Sequence, residues 1–308
     1  MTAHRGVGPS TELEAMEPGG GDGLTDVAAA RPLRKDVWRR FKSNKLAVVG
    51  LGLVIILVLT AVFAPLIATH TIIERDSGHF REGPSGSHFF GTDTIGRDVF
   101  SRVVYGARVS LKIGISATSI ALVIGLFLGA VAGFFGRALD SLIMRITDIF
   151  LAIPYIVLAV AIASLLGRSE NTVIVVLGFT GWLGICRIVR SSFLSLRQLE
   201  YVEAATALGY SKWRIMFRHI LPNALQPIIV YGTIAVGSVI LSEAALSFLG
   251  VGPVDPTPAW GLMVADGKSV LAVAPHMLFF PGAAIFITVL AFVFIGDGLR
   301  DALDPKLK

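Results

Sequence analysis

The chain has a single cysteine, Cys186, so no disulfide can close within it. Cys186 lies in an apolar segment and reads as a small packed side chain. Charge is also scarce: Asp, Glu, Lys and Arg make up 16% of the residues, where a soluble domain carries about 25%. Catalytic signatures are missing. A phosphate-binding loop needs Gly, four residues, then Gly-Lys-Ser/Thr. Gly267, Lys268 and Ser269 supply its second half, but Leu262 stands where the first glycine belongs. No nucleophile elbow or zincin signature is present. The histidines His70, His79, His88, His219 and His276 are scattered, and the first three recur every nine residues. That is not a helix-face spacing, so no metal-ligand cluster is read from it and no metal is expected. These absences argue against an enzyme.

What the chain has in excess is apolar surface. The hydrophobic fraction is 54% and the mean hydropathy +0.72. The excess lies in blocks close to the roughly 20 residues that cross a hydrocarbon core. A spanning β-barrel would show short alternating segments instead. The expected fold is therefore all-α: a polytopic membrane bundle of six helices, at 46–68, 109–134, 146–166, 172–188, 224–249 and 276–295. Residues 1–30 are rich in Gly, Pro, Glu and Thr and lack apolar periodicity, as a disordered cytoplasmic tail does. No secretory signal is read at the start. Residues 31–45 are basic, with Arg31, Arg34, Lys35, Arg39, Arg40, Lys42 and Lys45 around Trp38 and Phe41. This composition suits an interfacial helix on an anionic leaflet, so membrane lipid is an expected partner. The net charge of +5 reads as topology, not as affinity for nucleic acid.

The positive-inside rule then orients the spans. One set of loops holds the basic run with Arg137, Arg145, Arg187, Arg190, Arg197, Lys212, Arg214, Arg218, Arg300, Lys306 and Lys308. The other holds Arg75, Arg81, Arg97, Arg102, Arg108, Arg168 and Lys268, offset by Glu74, Asp76, Glu82, Asp93, Asp98, Glu170, Asp255 and Asp266. Both termini are expected in the cytoplasm, with segment 69–108 outside the cell. In the second span Gly125, Gly129 and Gly133 form an i, i+4, i+8 row, a surface on which another helix can approach closely. Glu243 is the one acid well inside a span, and a hydrogen bond within the bundle or a water-filled cavity would accommodate it.

The polar loop 191–223 carries the densest pattern. Residues 201–223 read YVEAATALGYSKWRIMFRHILPN. Glu203, Ala204 and Ala205 begin a helix-forming run, Gly209 permits a turn and Ser211 can cap a second helix. Trp213, Ile215, Met216 and Ile220 give that helix an apolar face, and Pro222 is expected to end it. A helix–turn–helix too polar to span reads as a docking element. Here the chain resembles the permease subunits of binding-protein-dependent ABC importers, whose cytoplasmic signature Glu203, Ala204, Ala205, Gly209, Ile220, Leu221 and Pro222 match. The resemblance implies that this loop, with Tyr210 in it, is a coupling helix seated in a groove of an ATPase subunit. Glu203 would make polar contacts there, the alanines would allow close seating and Gly209 would set the bend.

Residues 91–102 read GTDTIGRDVFSR. Asp98 can start a helix and pair with Arg102 one turn on. Val99, Phe100, Val103 and Val104 form an apolar face that can lie flat on the outer membrane surface. The string around Gly91, Asp93, Gly96, Arg97 and Asp98 is similar to one in C-type dipeptide and oligopeptide permeases (DppC/OppC-like). So are SEAALSFLGVG at 242–252, Pro-Ala-Trp-Gly at 258–261 and GDGLRDALDP at 296–305. The resemblance covers roughly residues 35–305. It implies a type I permease domain at 46–308, a second permease subunit as heterodimer partner and an extracytoplasmic binding protein. It also implies two ATPase subunits that hold ATP and Mg, while this chain binds no cofactor. Peptides are the implied substrate, with nickel complexes, glutathione or haem as alternatives. A secondary transporter or channel is the rival reading. A reporter fused after Lys308 should be active only if it needs the cytoplasm; activity confined to the outside would overturn the topology.

Overall fold

The computed structural model describes residues 33–303. The expected tail at 1–30, Arg31, and the chain end with Lys306 and Lys308 lie outside the described residues. Within them the chain is helical without a strand, apart from an isolated bridge between Thr92 and Asp98. In hydrocarbon every backbone polar group must find its partner inside the segment, and the helix achieves this locally.

Helix α1 (Leu33–Ser43) is followed by α2 (Lys45–Val62), and Asn44 caps α2 by accepting the Ala47 N–H at 3.2 Å. Phe41 is buried with Ala47 and Ala302, which ties this corner to the end of the last helix, α12 (His276–Leu303). The first span breaks at Phe63, and the four-residue α3 (Ala64–Ile67) carries Pro65 in its first turn. There the missing N–H of proline costs nothing.

Helix α4 (Val99–Phe135) runs unbroken for 37 residues. It begins ten residues before the expected span, at Val99 rather than at 109. Residues 99–104 do not lie flat on a surface. Val99 and Val104 are buried, and Val99 packs into a core with Trp260, Met263 and Met277. The apolar face expected to meet lipid meets protein.

The expected straight third span is two helices, α5 (Arg137–Leu151) and α6 (Tyr155–Leu166), whose axes differ by 86°. Pro154 is the cause: it disfavours helical geometry at Ile153 and has no N–H to donate. Among the described residues five helices are long and apolar enough to cross a membrane, or six if the bent pair counts as one span.

Helix α7 (Glu170–Leu196) starts at Ser169, whose side chain accepts the Thr172 N–H at 3.0 Å. Then come α8 (Glu200–Ala207), the single turn α9 (Lys212–Arg214), a π-helical turn over Ile215–Ile220, and α10 (Leu221–Phe248). Pro222 does not end this unit, contrary to expectation. Residues from Lys212 to Phe248 form one continuous helical stretch. Pro222 sits in the first turn of α10, and the wide turn before it, closed by Leu221 N–H to the Met216 carbonyl, relieves the clash its ring makes with a tighter helix. Helix α11 (Trp260–Lys268), inside the Pro-rich connection, packs on α10 and α12.

Helices α4 and α7 share the largest contact in the bundle. Lipid is as apolar as leucine, so close approach and dispersion replace the hydrophobic effect as the force between helices. A Cβ on Gly129 would stand 2.6 Å from the Cys186 carbonyl, and one on Gly133 would stand 2.7 Å from that of Arg190. One on Gly125 would meet the Ile185 Cβ at 2.7 Å. From the other side Gly178 takes Ile120 in the same way, at 2.8 Å. Cys186 is buried in this seam.

Gly129→Leu should therefore destabilise the fold by about 1–3 kcal/mol, the usual cost of overpacking. Gly52→Ala, where an added Cβ meets nothing within 4 Å, should leave the melting temperature of the purified protein unchanged or slightly raised. Equal effects of the two would remove the seam from its role.

Candidate functional site

Polar chemistry collects at the two ends of the bundle and in one cavity between them. At the first end a clasp joins residues 69–98 to the loop before α11. Asp93 accepts the Ile95 and Arg97 N–H groups, each at 2.9 Å, and takes the Arg97 Nε–H at 2.6 Å. The far side of the same guanidinium reaches Asp255 at 2.7 and 2.8 Å. Arg97 and Asp93 are buried, whereas Asp255 is half exposed. Burial opposes the charge on Arg97, but its bonds to Asp255 and Asp93 outweigh burial and raise its pKa. Burial likewise opposes the Asp255 carboxylate, and Arg97 overrides it, so the pKa of Asp255 falls below its usual value.

Arg102 does not pair with Asp98 as expected. Its guanidinium donates to the Ile72 carbonyl at 3.3 Å and to Asp255 at 3.4 Å. Asp98 is occupied elsewhere: it caps α4 by accepting the Ser101 N–H at 2.7 Å and meets His88 Nδ1 at 3.0 Å. Gly91 and Gly96 both hold positive φ, +78° and +82°, and pass so close to Glu82, His276 and Asp76 that a side chain would not fit. His70 and His88, scattered in sequence, come together in space. Backbone folding in the loop stacks the two rings 4.8 Å apart beside Asp98.

At the opposite end lies the elbow. Gly209 adopts φ +76° with nothing near an added Cβ, so backbone geometry alone requires glycine there. The Tyr210 N–H bonds the Ala205 carbonyl and the Gly209 N–H bonds that of Thr206, the paired bonds of a Schellman stop. Ser211 accepts the Arg214 N–H at 3.4 Å. The motif residues divide sharply. Ala205 and Ile220 are buried with Val202, Ile215 and Met216 against the α4–α7 seam. Glu203, Ala204, Gly209, Tyr210 and Pro222 are exposed, and Leu221 is intermediate. Trp213, expected on the apolar face, is 52% exposed and stacks on Phe217 with its edge toward Phe135. The Tyr210 ring stacks on His219 and lies under Arg214. At the entry to the elbow Arg197 donates to the Phe134 carbonyl at 3.0 Å, and just before it Arg190 of α7 pairs with Asp140 of α5.

Between the ends, the bend at Pro154 opens a cavity of about 500 Å³ against α7 and α10. Thr118, Tyr155, Thr180, Tyr231, Ser238 and Ser242 are among its lining residues with apolar side chains, and no charged residue lines it; the Thr180, Ser238 and Ser242 hydroxyls donate to carbonyls of their own helices. Gly184 makes room for it: a Cβ there would stand 2.8 Å from the Tyr231 hydroxyl. Sequence reasoning missed these residues. Pro154 in a span, with Gly181 and Gly184 on the next helix, was the available signal. Glu243 lies outside the cavity, wholly buried, with its Oε1 accepting the Ser247 hydroxyl at 2.8 Å.

Residues 125–308, which hold the seam, the elbow and the cavity's main walls, match the family described as the binding-protein-dependent transport system inner membrane component. The chain belongs to this family. Residues 32–84 match the N-terminal transmembrane domain of oligopeptide transport permease C. The permease is 46% identical to the dipeptide transport system permease protein DppC of Alkalihalophilus pseudofirmus, over 96% of this chain and 97% of that one. It is 40% identical to the oligopeptide transport system permease protein OppC of Bacillus subtilis, over 97% and 98%. Identity is 43% to the glutathione transport system permease protein GsiD of Escherichia coli, over 89% and 90%. Among solved structures, the inward-facing MetNI methionine ABC transporter shares the fold. It superposes with a TM-score of 0.55 at 23% identity, over 66% of this chain and 97% of that one. The chain is thus a multi-pass membrane permease subunit of the ABC importer class, and a stand-alone secondary transporter is not favoured.

The clasp gives a test at this point. Arg97→Ala leaves Asp93 buried without its cation and should cost about 3–5 kcal/mol. Asp255→Asn should cost about 1 kcal/mol or less, because that carboxylate is half exposed. A depressed carboxylate pKa contributes stability above its unfolded value, about 4, and loses it as pH falls through the folded value. The gap in melting temperature between wild type and Asp255→Asn should therefore be full at pH 6 and close as pH drops below about 4. A gap independent of pH would contradict the pairing.

Proposed function

We propose that this permease forms one half of a peptide translocation path and that its α8 elbow couples the path to a separate ATPase. The observation that carries the reading is the two-sidedness of the elbow. Its inner side is packed into the α4–α7–α10 core, so a push on it must reach the membrane helices. Its outer side presents Leu208, 73% exposed, with exposed Tyr210, Trp213 and Phe217. Glu203 is exposed there, and its carboxylate has no hydrogen bond or ion pair among the described residues. A surface of exposed aromatic and aliphatic groups, edged by Glu200 and Glu203 on α8 and by Lys212, Arg214 and Arg218 beyond the turn, is well suited to a protein groove with matching polar groups.

The elbow and both termini lie in the cytoplasm in this reading, and the clasp faces the outside. Two ATPase subunits hold ATP and Mg. A second permease subunit completes the path, and an extracytoplasmic binding protein delivers substrate to the clasp side. Segment 69–108 serves that outer side, and loop 191–223 serves coupling. The relatives named for dipeptide, oligopeptide and glutathione support a peptide cargo. So does the hydroxyl-lined, uncharged cavity: it offers hydrogen bonds to any peptide backbone without selecting a side-chain charge. The binding protein then makes the selection. Nucleotide binding shifts the balance between two packings of the bundle. The Pro154 bend and the π turn at Ile215–Ile220, where regular helical hydrogen bonding already stops, are where the packings differ.

Gly209→Val strains a left-handed position by about 1–2 kcal/mol without any steric contact, and Glu203→Lys reverses the free charge. Each should lower ATP-driven peptide uptake and complex-stimulated ATPase about tenfold, with normal amounts of folded permease in the membrane. Normal uptake and ATPase in both variants would refute the coupling assignment.

A further inference from the structure

We propose that His70, His88 and Asp98 form a binding site for a divalent transition-metal ion of the zinc class. The ligand atoms of the three residues all lie within 4.8 Å of one another. His88 Nδ1 stands 3.0 Å from Asp98 Oδ1, and His70 Nδ1 stands 3.8 Å from Asp98 Oδ2. Ligands bound at about 2.0–2.1 Å around tetrahedral zinc are separated by about 3.3 Å. The two histidine–carboxylate spacings fall on either side of that figure, and with every pair within 4.8 Å the ion would draw the ligands together by side-chain adjustment.

The site is held in place before any ion arrives. Thr69 and His70 both donate their N–H groups to the Ser101 hydroxyl, at 3.1 and 3.0 Å, which pins the His70 backbone to the first turn of α4. The Ser101 N–H in turn fixes the Asp98 carboxylate at 2.7 Å. His88 is anchored by its N–H to Ser85 Oγ at 3.1 Å and by its carbonyl, which accepts the Gly91 N–H at 2.9 Å. Such outer partners are what orient metal ligands. Asp98 and His88 are buried, while the His70 side chain is 30% exposed and leaves a path for the ion. The half-exposed Asp76, whose carboxylate is 3.4 Å from His88 Nε2, adds negative charge on the open side.

Two imidazoles and one carboxylate suit zinc and its first-row neighbours. Calcium and magnesium require more oxygen ligands than this site supplies. Capping of α4 by Asp98 needs at most His88 as a support. It does not require a second imidazole, that of His70, stacked on the first. The His70 Nδ1, 3.8 Å from Asp98, would exchange its 3.0 Å contact with the Thr69 hydroxyl for the ion. The proposal uses neither the elbow nor the cavity, and it stands or falls independently of the coupling role.

The test is zinc binding to the purified full-length chain in detergent, measured by competition with a chromophoric chelator and by thermal unfolding. Wild type should bind about one ion per chain with micromolar or tighter affinity near pH 7.5. Its melting temperature should rise with zinc and return on chelation. His70→Ala, at a partly exposed position, should keep the metal-free melting temperature and lose at least about tenfold in affinity. His88→Gln should also lose affinity. In wild type, cobalt should give the intense visible bands of a tetrahedral site. Absence of stoichiometric binding below about 100 μM in folded wild type, or unchanged affinity in His70→Ala, would overturn the proposal.

Discussion

Backbone-to-backbone contact between α4 and α7 is the constraint on which the rest of this molecule depends. Two helices in lipid gain little by hiding apolar groups from each other, because lipid hides them equally well. They gain by approaching so closely that many atoms touch, and glycine makes that approach possible. Because α4 runs from the clasp at Asp98 to Phe135 beside the elbow, the seam ties both ends to one rigid rod. The elbow hangs from the end of α7, and its buried residues Val202, Ala205 and Ile220 complete the same core. The elbow cannot shift without the seam registering it.

The two ends differ in their physics. The clasp is closed by charge: a buried Arg97–Asp93 pair extended to Asp255 and joined by Trp260 Nε1 donating to the Val103 carbonyl at 2.9 Å. Such a network is costly to desolvate and specific in geometry, which suits a scaffold that must keep loops distant in sequence in one arrangement. The elbow is closed by packing and a glycine-dependent stop, and it leaves its aromatic side bare. Between them lies the region where helix regularity fails. The Pro154 bend and the π turn interrupt the hydrogen-bond ladder where the cavity opens and where the elbow enters the bundle.

Much of this was legible beforehand. Apolar blocks near the length of a bilayer announced the spans, and the Gly125–Gly129–Gly133 row marked the face α4 would offer, though not its partner. The Gly209 turn and the Asp98 cap could be read because each rests on the local chemistry of one residue. The errors have a common origin. Pro154 was passed over and Pro222 was given too much weight, because a proline's effect depends on whether neighbouring turns can widen. Arg102 was assigned to Asp98 by spacing, yet Asp255 lies 153 residues away in sequence and closer in space. The histidines were judged by a helical period although they sit in a loop that follows none.

The amino-acid order alone determined what depends on composition and near neighbours: a helical membrane protein, its approximate crossings, a capped start to α4 and a glycine-stopped elbow. Hydrophobic length and backbone preference act within a few residues, so a linear reading recovers them. Tertiary structure alone decided which acid each arginine holds, which helix receives the glycines, where the cavity opens and which imidazoles meet. Those outcomes depend on distances between segments far apart in the chain, and such distances exist only once the helices have packed.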